Sequence, residues 1–116
     1  MKYLLMIYAD DKQWDRMTSE QQSQGMAAYG AYTEALDAAG VRLGSNRLRQ
    51  TDTATSVRIV NGETKVLDGP YVETKEQLGG YYLIDVPDLD SALSWAARCP
   101  GASYGTIEVR PIWEVY

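Results

Sequence analysis

The 116-residue sequence contains no histidine and no phenylalanine, and a single cysteine, Cys99. Without histidine, the Ser-His-Asp and Cys-His nucleophile systems have no base within this chain. Histidine-based zinc and non-haem iron sites are excluded as well. One thiol cannot close an intramolecular disulfide or supply a thiolate metal cage, and it fits a reducing compartment. Basic runs are also missing: 11 Lys and Arg stand against 16 Asp and Glu, giving a net charge of −5. With no cationic stripe to track phosphates, nucleic acid is not an expected partner. No apolar stretch approaches the ~20 residues that span a bilayer. Lys2 precedes an apolar run over residues 3–9, but Asp10-Asp11 ends it and no small-residue cleavage site follows. The run reads as a strand rather than a leader, and the expected location is the cytoplasm.

The composition that remains, 45% hydrophobic and 23% charged, is that of an ordinary folded domain. The length suits one domain over residues 1–116. Residues 2–9 are apolar at both alternating sets of positions, the pattern of a strand buried on two sides. A helix is expected over 19–39. Thr18 and Gln21 stand at capping-box spacing, Met26, Tyr29, Thr33 and Leu36 point to the core, and Gly40 ends it. Strands follow at 41–50 and 57–60, and Asn61-Gly62 turns the chain into a hairpin partner at 64–67. Asp68-Gly69-Pro70 breaks direction, 73–78 is short enough for a single helical turn, and Gly79-Gly80 ends it. Another two-faced strand spans 81–86. Asp88 caps a second helix with Leu89, Ala92, Leu93, Ala96 and Cys99 as its stripe, stopped at Pro100. A last strand covers 106–116, with Ile107, Val109, Trp113 and Val115 on one face.

The order β-α-β-hairpin-β-α-β predicts an α+β, ferredoxin-like antiparallel sheet with two helices on one face. Two strands are apolar on both sides, yet no third helix is available to cover the second face. A second copy of the sheet is the economical cover, so a homodimer is expected.

Chemistry concentrates in Asp68-Gly69-Pro70-Tyr71-Val72-Glu73-Thr74-Lys75-Glu76. Asp68 and Glu73 are candidate bases and Lys75 a candidate acid if burial shifts its pKa. Turn chemistry plus a solvated face explains the same residues more simply, with Gly79-Gly80 permitting close backbone approach. Arg47 and Arg49 alternate on an expected strand and could clamp an anion. An exposed, solvated face is the plainer reading. Tyr8, Tyr71, Tyr81 and Tyr82 could line a cleft, though tyrosines are more often core rings with a wet tip. Asp10-Asp11 could hold a hard cation weakly, but adjacent loop carboxylates are usually just solvated. Cys99 has no basic neighbour and reads as an inert core thiol.

The run Asp68-Gly69-Pro70-Tyr71, Glu73-Thr74-Lys75-Glu76-Gln77-Leu78-Gly79-Gly80-Tyr81-Tyr82-Leu83-Ile84 resembles the signature of the DGPF group of the YCII-related family, with Tyr71 where phenylalanine is usual. The opening Met1-Lys2-Tyr3, Pro87-Asp88-Leu89-Asp90, Trp95-Ala96-Ala97-Arg98 and Glu108-Val109-Arg110-Pro111-Ile112 extend the resemblance across the chain. It implies a ferredoxin-like domain paired sheet to sheet as a dimeric α/β barrel. Activity in that family is largely unassigned. Wider relatives resemble small cofactor-free enzymes for which a His–Asp pair is proposed, and this chain cannot supply that pair. Some members accompany extracytoplasmic-function sigma factors. Two functions are therefore expected. One is a cofactor-independent, metal-free protein for proton transfer or elimination on a small anionic or aromatic molecule, with Arg47, Arg49, Tyr8 and Tyr71 as binding residues. The other is a non-catalytic regulatory module that binds a partner such as a sigma factor.

Overall fold

A computed structural model describes residues 1–114; the expected strand residues Val115 and Tyr116 lie outside the described residues. In chain order the elements are β1 (Lys2–Ala9), α1 (Gln13–Arg16), α2 (Ser19–Ala38), β2 (Arg42–Arg47), β3 (Thr55–Val60), β4 (Glu63–Asp68), β5 (Gln77–Asp85), α3 (Leu89–Arg98) and β6 (Thr106–Pro111). Single 3₁₀ turns occupy Thr51–Thr53 and Pro100–Ser103.

Four strands make one antiparallel sheet in the order β2-β5-β1-β6, while β3 and β4 form a separate two-stranded hairpin. The core lies between this sheet and the helices. Tyr3, Leu5 and Ile7 of β1 and Tyr82 and Ile84 of β5 are buried against Tyr32 and Leu36 of α2 and Ala92 and Ala96 of α3. The alternate positions Leu4, Met6, Tyr8, Tyr81 and Leu83 are only half-buried, because the core and its helices lie on the other side of the sheet. The two-faced apolar pattern of both strands is thus met on one side only.

Without phenylalanine, the core aromatics are tyrosines, and a buried phenol needs a partner. The Tyr32 hydroxyl donates to the Trp95 carbonyl at 2.8 Å, and the Tyr82 and Thr33 hydroxyls pair at 2.8 Å. The Tyr32 and Tyr82 rings meet edge to face with centroids 5.1 Å apart. Burial raises the phenol pKa of Tyr29, Tyr32 and Tyr82 above the ordinary value, keeping all three protonated. Tyr82 is therefore a core ring and not part of a cleft.

The caps form where the spacing places them. Thr18 Oγ1 accepts from the Gln21 amide and Gln21 Oε1 accepts from the Thr18 amide. Asp88 accepts from the Ser91 amide, and Gly40 adopts φ 71° after α2. Asn61 (φ 52°) and Gly62 (φ 78°) close the hairpin in the doubly left-handed turn that suits the twist of paired strands.

Four details depart from the sequence expectation. Met26 is exposed, since α2 buries only its Tyr32–Leu36 end. Leu89 and Leu93 are also exposed, and α3 packs instead through its small residues. Residues 73–78 form no helical turn, because Gln77 already pairs with Ala9 as β5 begins. Gly79 and Gly80 lie inside β5 rather than ending a helix. The register slips between Ile7 and Tyr8, leaving Gly79 as the extra residue of a bulge. At Gly80, a Cβ would stand 2.9 Å from the Asn46 carbonyl oxygen of β2.

Candidate functional site

The end of β1 delivers Asp10 and Asp11 to a point where three other segments meet: α1, the 3₁₀ turn after β2, and the loop from Gly69 to β5. Between them lies an open cleft of about 720 Å³. Its charged lining is Asp10, Asp11, Lys12, Arg16, Asp52, Glu73 and Lys75. A smaller cleft of about 570 Å³ adjoins it and shares Asp10, Arg16 and Lys75.

The two aspartates, adjacent in sequence, have different environments. Asp11 Oδ2 accepts the Thr51 hydroxyl at 2.6 Å and the Thr51 amide at 2.7 Å. These two bonds from Thr51, the hydroxyl first, hold the Asp11 carboxyl below its ordinary pKa. Its Oδ2 ties the loop after β2 to the end of β1. Asp10 receives the Lys12 amide at 3.1 Å and the Arg16 guanidinium at 3.4 Å. Its side chain is 20% exposed and faces both clefts.

The opposite wall is the loop before β5. Gly69, at φ 104°, bends the chain out of β4. Gln77 Nε2 donates to the carbonyls of Val72 (2.7 Å) and Thr74 (3.1 Å), and Thr106 Oγ1 donates to Glu76 Oε1 at 2.9 Å. These bonds fix the loop backbone while Glu73 and Lys75 extend into the cleft with no ion pair among the described residues.

The residues singled out in the sequence are divided by this geometry. Glu73 and Lys75 are brought together in the cleft. Asp68 ends β4 opposite Thr55, exposed and outside the cleft lining. Arg47 is the last residue of β2 and lies over the Trp14 ring at 4.3 Å, with its Nη1 3.4 Å from the Met26 sulfur. Arg49 falls in the loop beyond β2, so the two do not share a strand face. Tyr8 and Tyr81 are on the open face of the sheet, and Tyr71 stands exposed on the loop; the four tyrosines line no common cleft. Asp10 was legible only as half of a solvated Asp10-Asp11 pair, and Arg16 was not singled out at all. Their convergence with a loop some 60 residues away has no local signature. Among the described residues, no three acidic or thiol side chains are grouped to hold a metal.

A four-stranded antiparallel sheet in this order, with its helices on one face, defines a ferredoxin-like α+β domain, here carrying a charged cleft at the end of its first strand. The chain belongs to the YCII-related domain family, which matches residues 1–116. It is 39% identical over 114 residues to an uncharacterised protein of Rhizobium meliloti (strain 1021), covering 97% of this chain and 92% of that protein. Its fold is similar to that of the 5-chloro-2-hydroxyhydroquinone dehydrochlorinase of Burkholderia phenoliruptrix AC1100, solved in complex with 2,5-dihydroxybenzoquinone. The TM-score is 0.55 at 15% identity, over 97% of this chain and 93% of that one. No described helix is long and apolar enough to cross a membrane.

Proposed function

We propose that this single-domain protein binds a small anionic or aromatic molecule in the cleft at the end of β1, and that the cleft is equipped for cofactor-independent proton transfer or elimination. The observation that carries the reading is the convergence of Asp10, Arg16, Glu73 and Lys75, from three separate segments, on one open cleft. Elimination needs a base to take a proton from carbon, so that the electron pair forms a double bond as the neighbouring substituent leaves with its own pair. Asp10 or Glu73 serves as the base, replacing the histidine this chain lacks. Lys75 donates a proton or charge to the leaving group, and Arg16 offers a guanidinium to an anionic ligand. Asp68, Arg47 and Arg49 stand outside this constellation, with Arg47 serving to hold the wall through Trp14. Support for an aromatic ligand comes from the dehydrochlorinase of similar fold, which was solved with a quinone bound.

The test is calorimetric titration of the purified protein with 2,5-dihydroxybenzoquinone, repeated on Asp10→Asn, Glu73→Gln and Lys75→Met. At least a tenfold loss of affinity in these variants, at unchanged melting temperature, is the expected result. Variants that alter stability but neither affinity nor turnover would sink the reading.

The same fold carries an assembly proposal. Leu4, Met6, Tyr8, Tyr81 and Leu83 leave an apolar sheet face without cover, and pairing of two such faces as a dimeric α/β barrel is the arrangement that buries it. A second functional reading, a non-catalytic module for a partner such as a sigma factor, is favoured by Tyr71 and Val72, which stand 76% and 52% exposed on the cleft loop. Co-purification with a sigma factor that survives Tyr71→Ser and Val72→Ser would remove that support. The expected location of such a protein is the cytoplasm.

A further inference from the structure

We infer that the β3–β4 hairpin is a dimerisation arm, seated on a second copy of this chain through Val57, Ile59 and Val66. The inference rests on the sheet-to-sheet reading above and extends it. The strand register puts Val57 directly opposite Val66, and Ile59 opposite Thr64, on one face of the hairpin. Val57, Ile59 and Val66 are 61%, 66% and 61% exposed. The hairpin's own sheet cannot cover them, since β3 and β4 pack substantially only on each other. An isolated two-stranded hairpin is at best marginally stable in water and needs a further packed layer.

Shape and area indicate what supplies that layer. The radius of gyration is 16.1 Å, against about 13 Å for a compact chain of this length. The molecule measures 48 × 44 × 18 Å, a thin body. Stable interfaces bury about 800 Å² per partner. Four strands at ~4.8 Å spacing and ~3.3 Å rise give the open sheet face a flat footprint of only about 450 Å². One face of the hairpin adds about 200 Å² by the same spacings. The total reaches about 650 Å², above the roughly 600 Å² per partner at the low end of stable interfaces, where the sheet face alone falls short. A second copy is also present in stoichiometric amount whenever the chain folds, as an always-exposed apolar arm requires.

The experiment is sedimentation and native mass spectrometry of the full chain across a concentration series, beside Val57→Lys combined with Val66→Glu. These positions are directly opposed, so the new charges form a cross-strand pair that preserves the hairpin while erasing its apolar face. The expected result is a wild-type dimer whose dissociation constant rises at least tenfold in the double variant, with the far-UV circular dichroism unchanged. Amide exchange gives a second readout that needs no variant: residues 57–66 should be protected at high concentration and lose protection on dilution. A wild-type monomer at all concentrations would overturn both the sheet reading and the arm. A wild-type dimer that the double variant leaves equally tight, with residues 57–66 unprotected, would overturn the arm alone. A Met6→Lys variant that dissociates such a dimer would show that the sheet reading had survived.

Discussion

Asp10 and Asp11 are chemically identical neighbours, and Thr51 separates their roles. With two short bonds accepted from the loop after β2, Asp11 is an anchor; Asp10 accepts longer bonds from Lys12 and Arg16 and lines the cleft. Thr51→Val should destabilise the fold by about 1 kcal/mol, the value of a hydrogen bond to a charged group after solvent screening. The loss should depend on pH. The folded carboxyl lies below its ordinary value of 3.8, so its stabilisation is complete above that value and disappears as pH falls through the folded one. Chemical denaturation of both proteins between pH 7 and pH 2 should show the gap closing only in the acid range. Cys99 makes a second test at this scale. It is buried and desolvation raises its thiol pKa, so it should resist thiol reagents in the native protein and react on unfolding.

Elements were legible where local chemistry defines them. Thr18–Gln21 at the start of α2, Asp88 before α3, and Asn61-Gly62 between β3 and β4 satisfy nearby backbone groups in the expected places. Thr18→Ala should cost about 1 kcal/mol, read as a shift in the denaturant midpoint. Gly79-Gly80 and residues 73–78 were misread for a shared reason. A bulge and a strand start are set by the partner strand, and the partners here are Ile7–Ala9 and Asn46, far away in sequence. Gly80→Ala should push β2 away from β5 and destabilise by about 1–3 kcal/mol, as other overpacking substitutions do. A melting curve indistinguishable from wild type would mean that β2 yields freely at this edge.

At the scale of the whole molecule the chain is a sheet with one covered face, a separate hairpin, and a cleft where the sheet ends. Met6→Lys, on the open face, should weaken self-association with little effect on the protomer fold, because Met6 contributes nothing to the core on the other side. Light scattering at graded concentrations checks this. If the variant dimerises as tightly as wild type, the open face is not the contact.

Much was settled along the chain alone: the strand alternation, the helix caps, the hairpin turn and the family all rest on residue types and short spacings. The cleft was not. Glu73 and Lys75 were visible as a dense loop, but Asp10 and Arg16 join them only because β1 and β5 pair antiparallel, so that the end of one strand meets the start of the other. The same folding drew Arg47 onto Trp14 and left Arg49 beyond the strand, dissolving the expected clamp. Proximity across many tens of residues is a product of strand pairing and packing, and it leaves no mark on the local order of amino acids.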